Sequence, residues 1–178
     1  IFADIEKFKL LHVDTLVYPY ITSEKYGEIR EGKPSIYGRN LLEEVRLYGE
    51  RARAVIKNQK FDVIHAHDWL AYPAGMMAKK LSGKPLVVHV HATEFDRTGG
   101  NGVNQQVYEI EKQGMTLADK VIAISHWTKN IVMKHYGIPE SKIEVVHNGI
   151  DADEYRGQNV RLKELKEAGY KIVLFVGR

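Results

Sequence analysis

Two short apolar runs, each closing on spaced histidines and separated by one helix's length of chain, constrain this sequence more than any other feature. The first is Val63-Ile64-His65-Ala66-His67-Asp68-Trp69 and the second is Leu86-Val87-Val88-His89-Val90-His91-Ala92-Thr93-Glu94. Short, nearly continuous apolar runs are the pattern of strands buried on both faces, which occur in parallel sheets covered by helices. Between them, residues 71–82 are rich in Ala, Met and Leu and stop at Ser82-Gly83-Lys84-Pro85, a helix terminus of glycine followed by proline. Strand, helix, strand predicts a parallel unit, and ligands of such sheets bind outside the carboxyl ends of the strands. Both histidine pairs sit where a strand stops, so two adjacent strand ends are expected to point at one site.

The alternation continues along the chain. Leu41, Val45, Tyr48, Ala52 and Val55 step by four and three and line one face of a helix to about Asn58, and Val103, Val107, Ile110, Gly114 and Leu117 do the same. Residues 119–124 and 143–146 read as further buried strands, and Ser125 is placed to cap a helix that Gly137-Ile138-Pro139 terminates. Residues 10–18 have strand composition, residues 19–36 read as an irregular loop, and the three glycines within residues 95–102 predict a mobile loop beside the site. The expected fold class is α/β, a doubly wound, mostly parallel sheet.

Composition excludes several function classes. With 26 Lys and Arg against 23 Asp and Glu the net charge is +3, and the basic residues are interspersed with acidic ones, so a nucleic-acid groove is not expected. The chain has no cysteine, which rules out a disulfide framework, a thiolate zinc site and a cysteine nucleophile, and fits a reducing cytoplasm. No apolar run approaches a membrane span. At 178 residues the chain can bury roughly 70% of its unfolded surface without metal or crosslinks. It opens on Ile1 and closes on the apolar run Lys171–Arg178, which reads as the first strand of a further domain.

Residues two apart on a strand face the same side, so His65 pairs with His67 and His89 with His91. Four imidazoles with Asp68 and Glu94 nearby can ligate zinc or another divalent metal, which would suit a metal-dependent hydrolase. Equally, the first histidine of each pair can be a buried residue bonding a backbone carbonyl while the second marks the exposed strand end. Asp68 beside Trp69 offers an acceptor carboxylate and an aromatic plate, a pairing that suits a sugar, although a lone Trp packs in the core at least as readily. The glycine loop lacks any dinucleotide or Walker order, and Asn148-Gly149 is first a turn signal.

Taken together, HAHDW at 65–69, HVHATE at 89–94, ADKVIAIS at 118–125, KIEVVHNGID at 142–151 and LFVGR at 174–178 resemble the amino-terminal half of GT-B glycosyltransferases. The likeness is to the group 1 branch that includes bacterial and archaeal glycogen and starch synthases. It spans nearly the whole chain from Phe61 onward and, more loosely, residues 26–58. It implies two Rossmann-like domains facing across a cleft, the first holding the acceptor and the second the nucleotide diphosphate sugar, which is a co-substrate; no cofactor and no metal are expected. Residues 1–170 would then be the acceptor-side domain lacking its first strand, and residues 171–178 the first strand of a missing carboxyl-terminal domain.

By the same resemblance His91 contacts the donor sugar and supports charge at its anomeric carbon, making it the candidate catalytic residue. Asp68 contacts sugar hydroxyls, with His67, Trp69 and Glu94 completing the candidate substrate-binding set. Asn148 and Gly149 mark the passage between domains, and Arg178 clamps the donor diphosphate, the bidentate task a guanidinium suits. The family's opening glycine-rich turn, the lysine after its VGR arginine and its paired glutamates are absent, so this stretch alone is not expected to transfer sugar. The expected activity is retaining, metal-independent transfer of a hexose to a glycan or small acceptor. A hydrolase using His65, His67, His89 and His91 and a non-catalytic carbohydrate-binding domain are the alternatives.

Overall fold

The computed structural model describes residues 11, 13, 41–151, 160–173 and 175. The expected strand at 10–18 and loop at 19–36 lie almost wholly outside the described residues, as does Arg178. The chain divides into two compact units, residues 1–147 and 148–178.

In the first unit the predicted helix near Asn40 is α1 (Leu41–Ile56), followed by β1 (Ile64–His67), α2 (Asp68–Ser82) and β2 (Leu86–Val90). A short helix α3 (Glu94–Thr98) comes next, then α4 (Gln105–Leu117), β3 (Lys120–Ala123), α5 (His126–Tyr136), a 3-10 turn at Glu140–Lys142 and β4 (Ile143–Val145). The four strands among the described residues are all parallel, in the order β1-β2-β3-β4. A four-stranded parallel sheet interleaved with helices is the Rossmann-like α/β fold the alternation predicted. Its described strands follow one another in a single direction, and no described strand supplies the reversal that double winding requires.

Local chemistry explains most of the boundaries. Gly83 ends α2 in the left-handed conformation, φ 68°, with its N–H on the Lys79 carbonyl. Ser125 caps α5 as expected, its hydroxyl accepting from the Thr128 N–H at 3.0 Å. Part of the expected loop at 95–102 is helical instead. Thr93 and Asp96 form a reciprocal capping box that starts α3, and Gly99 stops it in the left-handed region. The spaced glycines described only where that turn ends.

The strands bury one face. Ala66, Leu86, Val88, Val90, Val121, Ala123 and Ile143 are all buried and join Val45, Tyr72, Val107, Met115 and Val132 of the helices in one core. Helix α2 lies so close to this face that a Cβ on Gly75 would stand 2.9 Å from the Ala66 Cβ and 3.1 Å from Leu86 Cδ1. Alternation then puts His65, His67, Val87, His89 and Ile122 on the opposite face, where each remains at least partly open to solvent. That face carries the histidines.

The second unit contains α6 (Val160–Glu167), a charged helix that the sequence pattern did not single out. No strand is assigned at 171–173 or 175, and Val173 and Phe175 are exposed; the rest of the expected terminal strand is outside the described residues. Among the described residues no helix is long and apolar enough to cross a membrane.

Candidate functional site

Parallel pairing of β1 with β2 sets His67 directly opposite His89. Because side chains alternate along each strand, His65, His67, His89 and, one residue past β2, His91 share the open face. Their rings form a continuous patch: centroids are 4.4 Å apart for His65 and His67, 4.9 Å for His67 and His89, and 4.3 Å for His89 and His91. His67 Nδ1 and His91 Nε2 lie 3.0 Å apart, one donating to the other. The convergence expected from sequence is therefore present, with one difference. His65 and His89 lie within the strands, and only His67 and His91 occupy strand ends.

Electrostatics separates these two classes. Burial, reinforced by His91, His67 and His65, pushes the His89 imidazole down to about 4, and burial with His67 and His91 lowers His65. Neither ring nitrogen of His89 meets a partner among the described residues, so it does not make the carbonyl bond that one reading gave it. A neutral His89 lets the rings stack without mutual repulsion. The consequence for stability has a definite sign. With a folded value near 4 and an ordinary unfolded value of about 6.5, the unfolded chain binds more protons between those limits, so stability falls as pH drops from 6.5 toward 4. His89→Gln should flatten the urea-unfolding free energy across that window by on the order of 2 kcal/mol relative to the parent, the partly solvated ring giving less than the full depression implies. Identical slopes in the two proteins would contradict the assignment.

Asp68 holds the strand-end turn from the neighbouring strand. It is the only non-glycine described residue with positive φ, 57°, a conformation that Asp tolerates better than most side chains. From there its Oδ1 accepts the His91 N–H at 2.8 Å, so Asp68 fixes the main chain of the residue expected to face the donor. Below, buried Tyr72 places its hydroxyl 3.3 Å from the His89 carbonyl.

The remaining expected residues are distributed differently. Trp69 is buried in the core and Glu94 is 1% exposed, so neither presents a surface to a sugar. Glu94 instead receives Arg97 Nε at 3.1 Å and the Asn104 N–H at 3.1 Å. Asn148 and Gly149 are exposed and open the second unit. Sequence reasoning missed Arg97, Glu111 and Tyr136, which meet beneath the turn after β2. The Glu94/Arg97 spacing was a local signal; the contacts to Glu111 and Tyr136, far away in sequence, were not.

Ring nitrogens of His65, His67 and His89 all lie within 4.8 Å of one another, close enough to hold a metal ion. Tetrahedral zinc would need them at roughly 3.3 Å, given Zn–N distances of about 2.0–2.1 Å, so the rings would have to turn inward. Two hollows among the described residues lie elsewhere. One of about 400 Å³ is lined by His126, Lys129, Glu140 and His147 at the β4 edge, and another of about 650 Å³ runs between α1, α2 and α4. The histidine patch is an open wall, as one side of a cleft would be.

A Rossmann-like sheet whose strand ends present paired imidazoles and a turn-holding carboxylate is the arrangement expected from the resemblance to the amino-terminal domain of group 1 glycosyltransferases. The family model described as Glycosyltransferase Family 4 matches residues 11–154, and the chain belongs to that family. It is 30% identical over 138 residues to an uncharacterized glycosyltransferase, MJ1607, of Methanocaldococcus jannaschii, covering 72% of this chain and 35% of the relative. It is 36% identical over 95 residues to a glycogen synthase of Mycobacterium tuberculosis, covering 51% of this chain and 23% of that enzyme. A crystal structure of Anabaena Alr3699/HepE in complex with UDP-glucose superposes with a TM-score of 0.54 at 21% identity, over 67% of this chain and 32% of that one, a likeness of fold. The chain thus spans about a third or less of the length of these proteins.

Proposed function

We infer that this chain is the acceptor-side half of a retaining, metal-independent glycosyltransferase that moves a hexose from a nucleotide diphosphate sugar to a glucan or small acceptor, with glycogen and starch synthases as the favoured branch. The observation that carries the reading is the His67–His91 pair at adjacent carboxyl strand ends, with the His91 main chain fixed by Asp68, in a chain of this family. Support for the donor comes from a structural neighbour whose crystals hold UDP-glucose, and support for the glucan branch from the glycogen synthase relative.

The chemistry follows from the placement. As the bond between anomeric carbon and diphosphate loosens, positive charge develops on the sugar and negative charge on the leaving group. An imidazole hydrogen-bonded to a second imidazole can accept from a sugar hydroxyl with one nitrogen while the other stays oriented, holding the sugar against the strand ends. Closure of a second domain carrying Arg178 or its neighbours would supply the cationic clamp for the diphosphate. Asn148 and Gly149 would form part of the passage between the domains.

A donor screen with the full-length protein tests this. We expect one nucleotide diphosphate sugar to be consumed in the presence of EDTA and a maltooligosaccharide or small acceptor, with the anomeric configuration kept. Turnover that requires added zinc, or hydrolysis of an ester or amide at the histidine patch, would contradict it.

A further inference from the structure

Beneath the turn that follows β2 two carboxylates share one guanidinium. Glu94 and Glu111 are 1% and 3% exposed. Arg97 serves three different acceptors: Nε reaches Glu94 Oε2 at 3.1 Å, Nη1 reaches the Ala92 carbonyl at 3.0 Å, and Nη2 reaches Glu111 Oε1. Glu111 Oε2 in turn accepts the Glu94 N–H at 3.1 Å and the Tyr136 hydroxyl. The other Glu94 oxygen takes the Asn104 N–H at the start of α4, and the Thr98 hydroxyl donates to the Glu94 carbonyl at 2.8 Å.

Such an arrangement is a poor way to gain stability, because desolvating two carboxylates costs about as much as the ion pairs return. Burial raises the Glu111 carboxyl against the opposing hydrogen bond of Tyr136 and the charge of Arg97. What the arrangement does achieve is orientation. The main chain of Ala92 and Glu94, immediately after His91, is held by hydrogen bonds from Arg97 and to Glu111, while Asp68 holds His91 itself.

We propose that Arg97 and Glu111 are positioning residues for the donor-facing turn His91–Glu94, setting where the His91 imidazole stands relative to the sugar. The proposal rests on the donor-site reading of His91. A guanidinium is required because its fixed fork addresses three acceptors at once, whereas an ammonium neutralises the carboxylates without holding the Ala92 carbonyl in the same plane. Arg97→Lys therefore separates charge from geometry.

In the full-length enzyme, Arg97→Lys should melt within a few degrees of the parent, keep its donor KM within about threefold and lose kcat by about tenfold to a hundredfold, the penalty of a small misplacement at the reacting centre. Glu111→Gln, which can keep the oxygen that accepts from both the Glu94 N–H and the Tyr136 hydroxyl but turns an amide toward Arg97, should show the same split and serves if the lysine variant does not fold. A merely structural role would lower melting temperature and leave kcat per folded molecule unchanged; that result would overturn the proposal. His91→Ala, assayed alongside, separates the two levels. Lost turnover in His91→Ala with normal turnover in both other variants refutes the positioning role alone, and full turnover in His91→Ala refutes the donor-site reading and the positioning role with it.

Discussion

Removing the imidazole of His91 in the full-length enzyme should lower kcat by about a hundredfold to a thousandfold while the KM for the nucleotide sugar moves by less than about threefold. The asymmetry follows from where the residue stands. His91 lies one residue beyond β2, its main chain fixed by Asp68 at 2.8 Å and its ring joined to His67 at 3.0 Å. A group held so firmly at a strand end is suited to an interaction that strengthens as charge develops, and losing such an interaction reduces kcat rather than ground-state binding. The proposed function places nucleotide affinity on a second domain, so His91→Ala should leave it nearly intact. Steady-state kinetics over a range of donor concentrations, with nucleotide binding measured by calorimetry, checks both halves. Parallel losses in turnover and nucleotide binding would mean that His91 serves general integrity of the cleft.

A second large effect is expected far from any ligand. Where α4 crosses α2, a Cβ on Gly114 would sit 2.4 Å from Tyr72 Cδ2, 2.7 Å from Cγ and 2.9 Å from Cβ. Tyr72 is 1% exposed and its hydroxyl reaches the His89 carbonyl, so the ring has little room to withdraw without loosening the strand that carries the histidines. Gly114→Ala should therefore cost about 3 kcal/mol, the upper end for overpacking a filled core, and lower Tm by roughly 10 °C for a chain of this size. Combining it with Tyr72→Ala should be markedly less damaging than the sum of the two, since the second change removes the atoms that the first one meets. A melting temperature unchanged by Gly114→Ala would show that the helices separate freely here, against the close crossing described.

The sequence pattern was most informative where chemistry is local. Helix faces stepping by four and three, the glycine after α2 and the serine before α5 each act within a turn of themselves, and those elements occupy the positions expected. The capping box of α3 is equally local, but the glycines that follow it carry the stronger loop signal. Side-chain roles were legible only in part. His67 and His91 converge because strand register follows from the apolar pattern. Trp69 and Glu94 do not face the site, because burial is decided by what α2 and α4 pack against, contacts that no local spacing encodes. For the same reason Arg97, Glu111 and Tyr136 escaped notice: their meeting depends on three separate elements folding together. The left-handed backbone of Asp68 was likewise hidden, although an aspartate between a strand and a helix is a residue type that accepts it.

The most direct test is a crystal structure of the full-length enzyme with an intact nucleotide diphosphate sugar bound. The hexose should lie against the carboxyl ends of β1 and β2, with a His91 ring nitrogen within about 2.7–3.2 Å of a sugar hydroxyl and Asp68 still holding the His91 N–H. A hexose bound away from those strand ends, with the His67–His91 pair untouched, would contradict it.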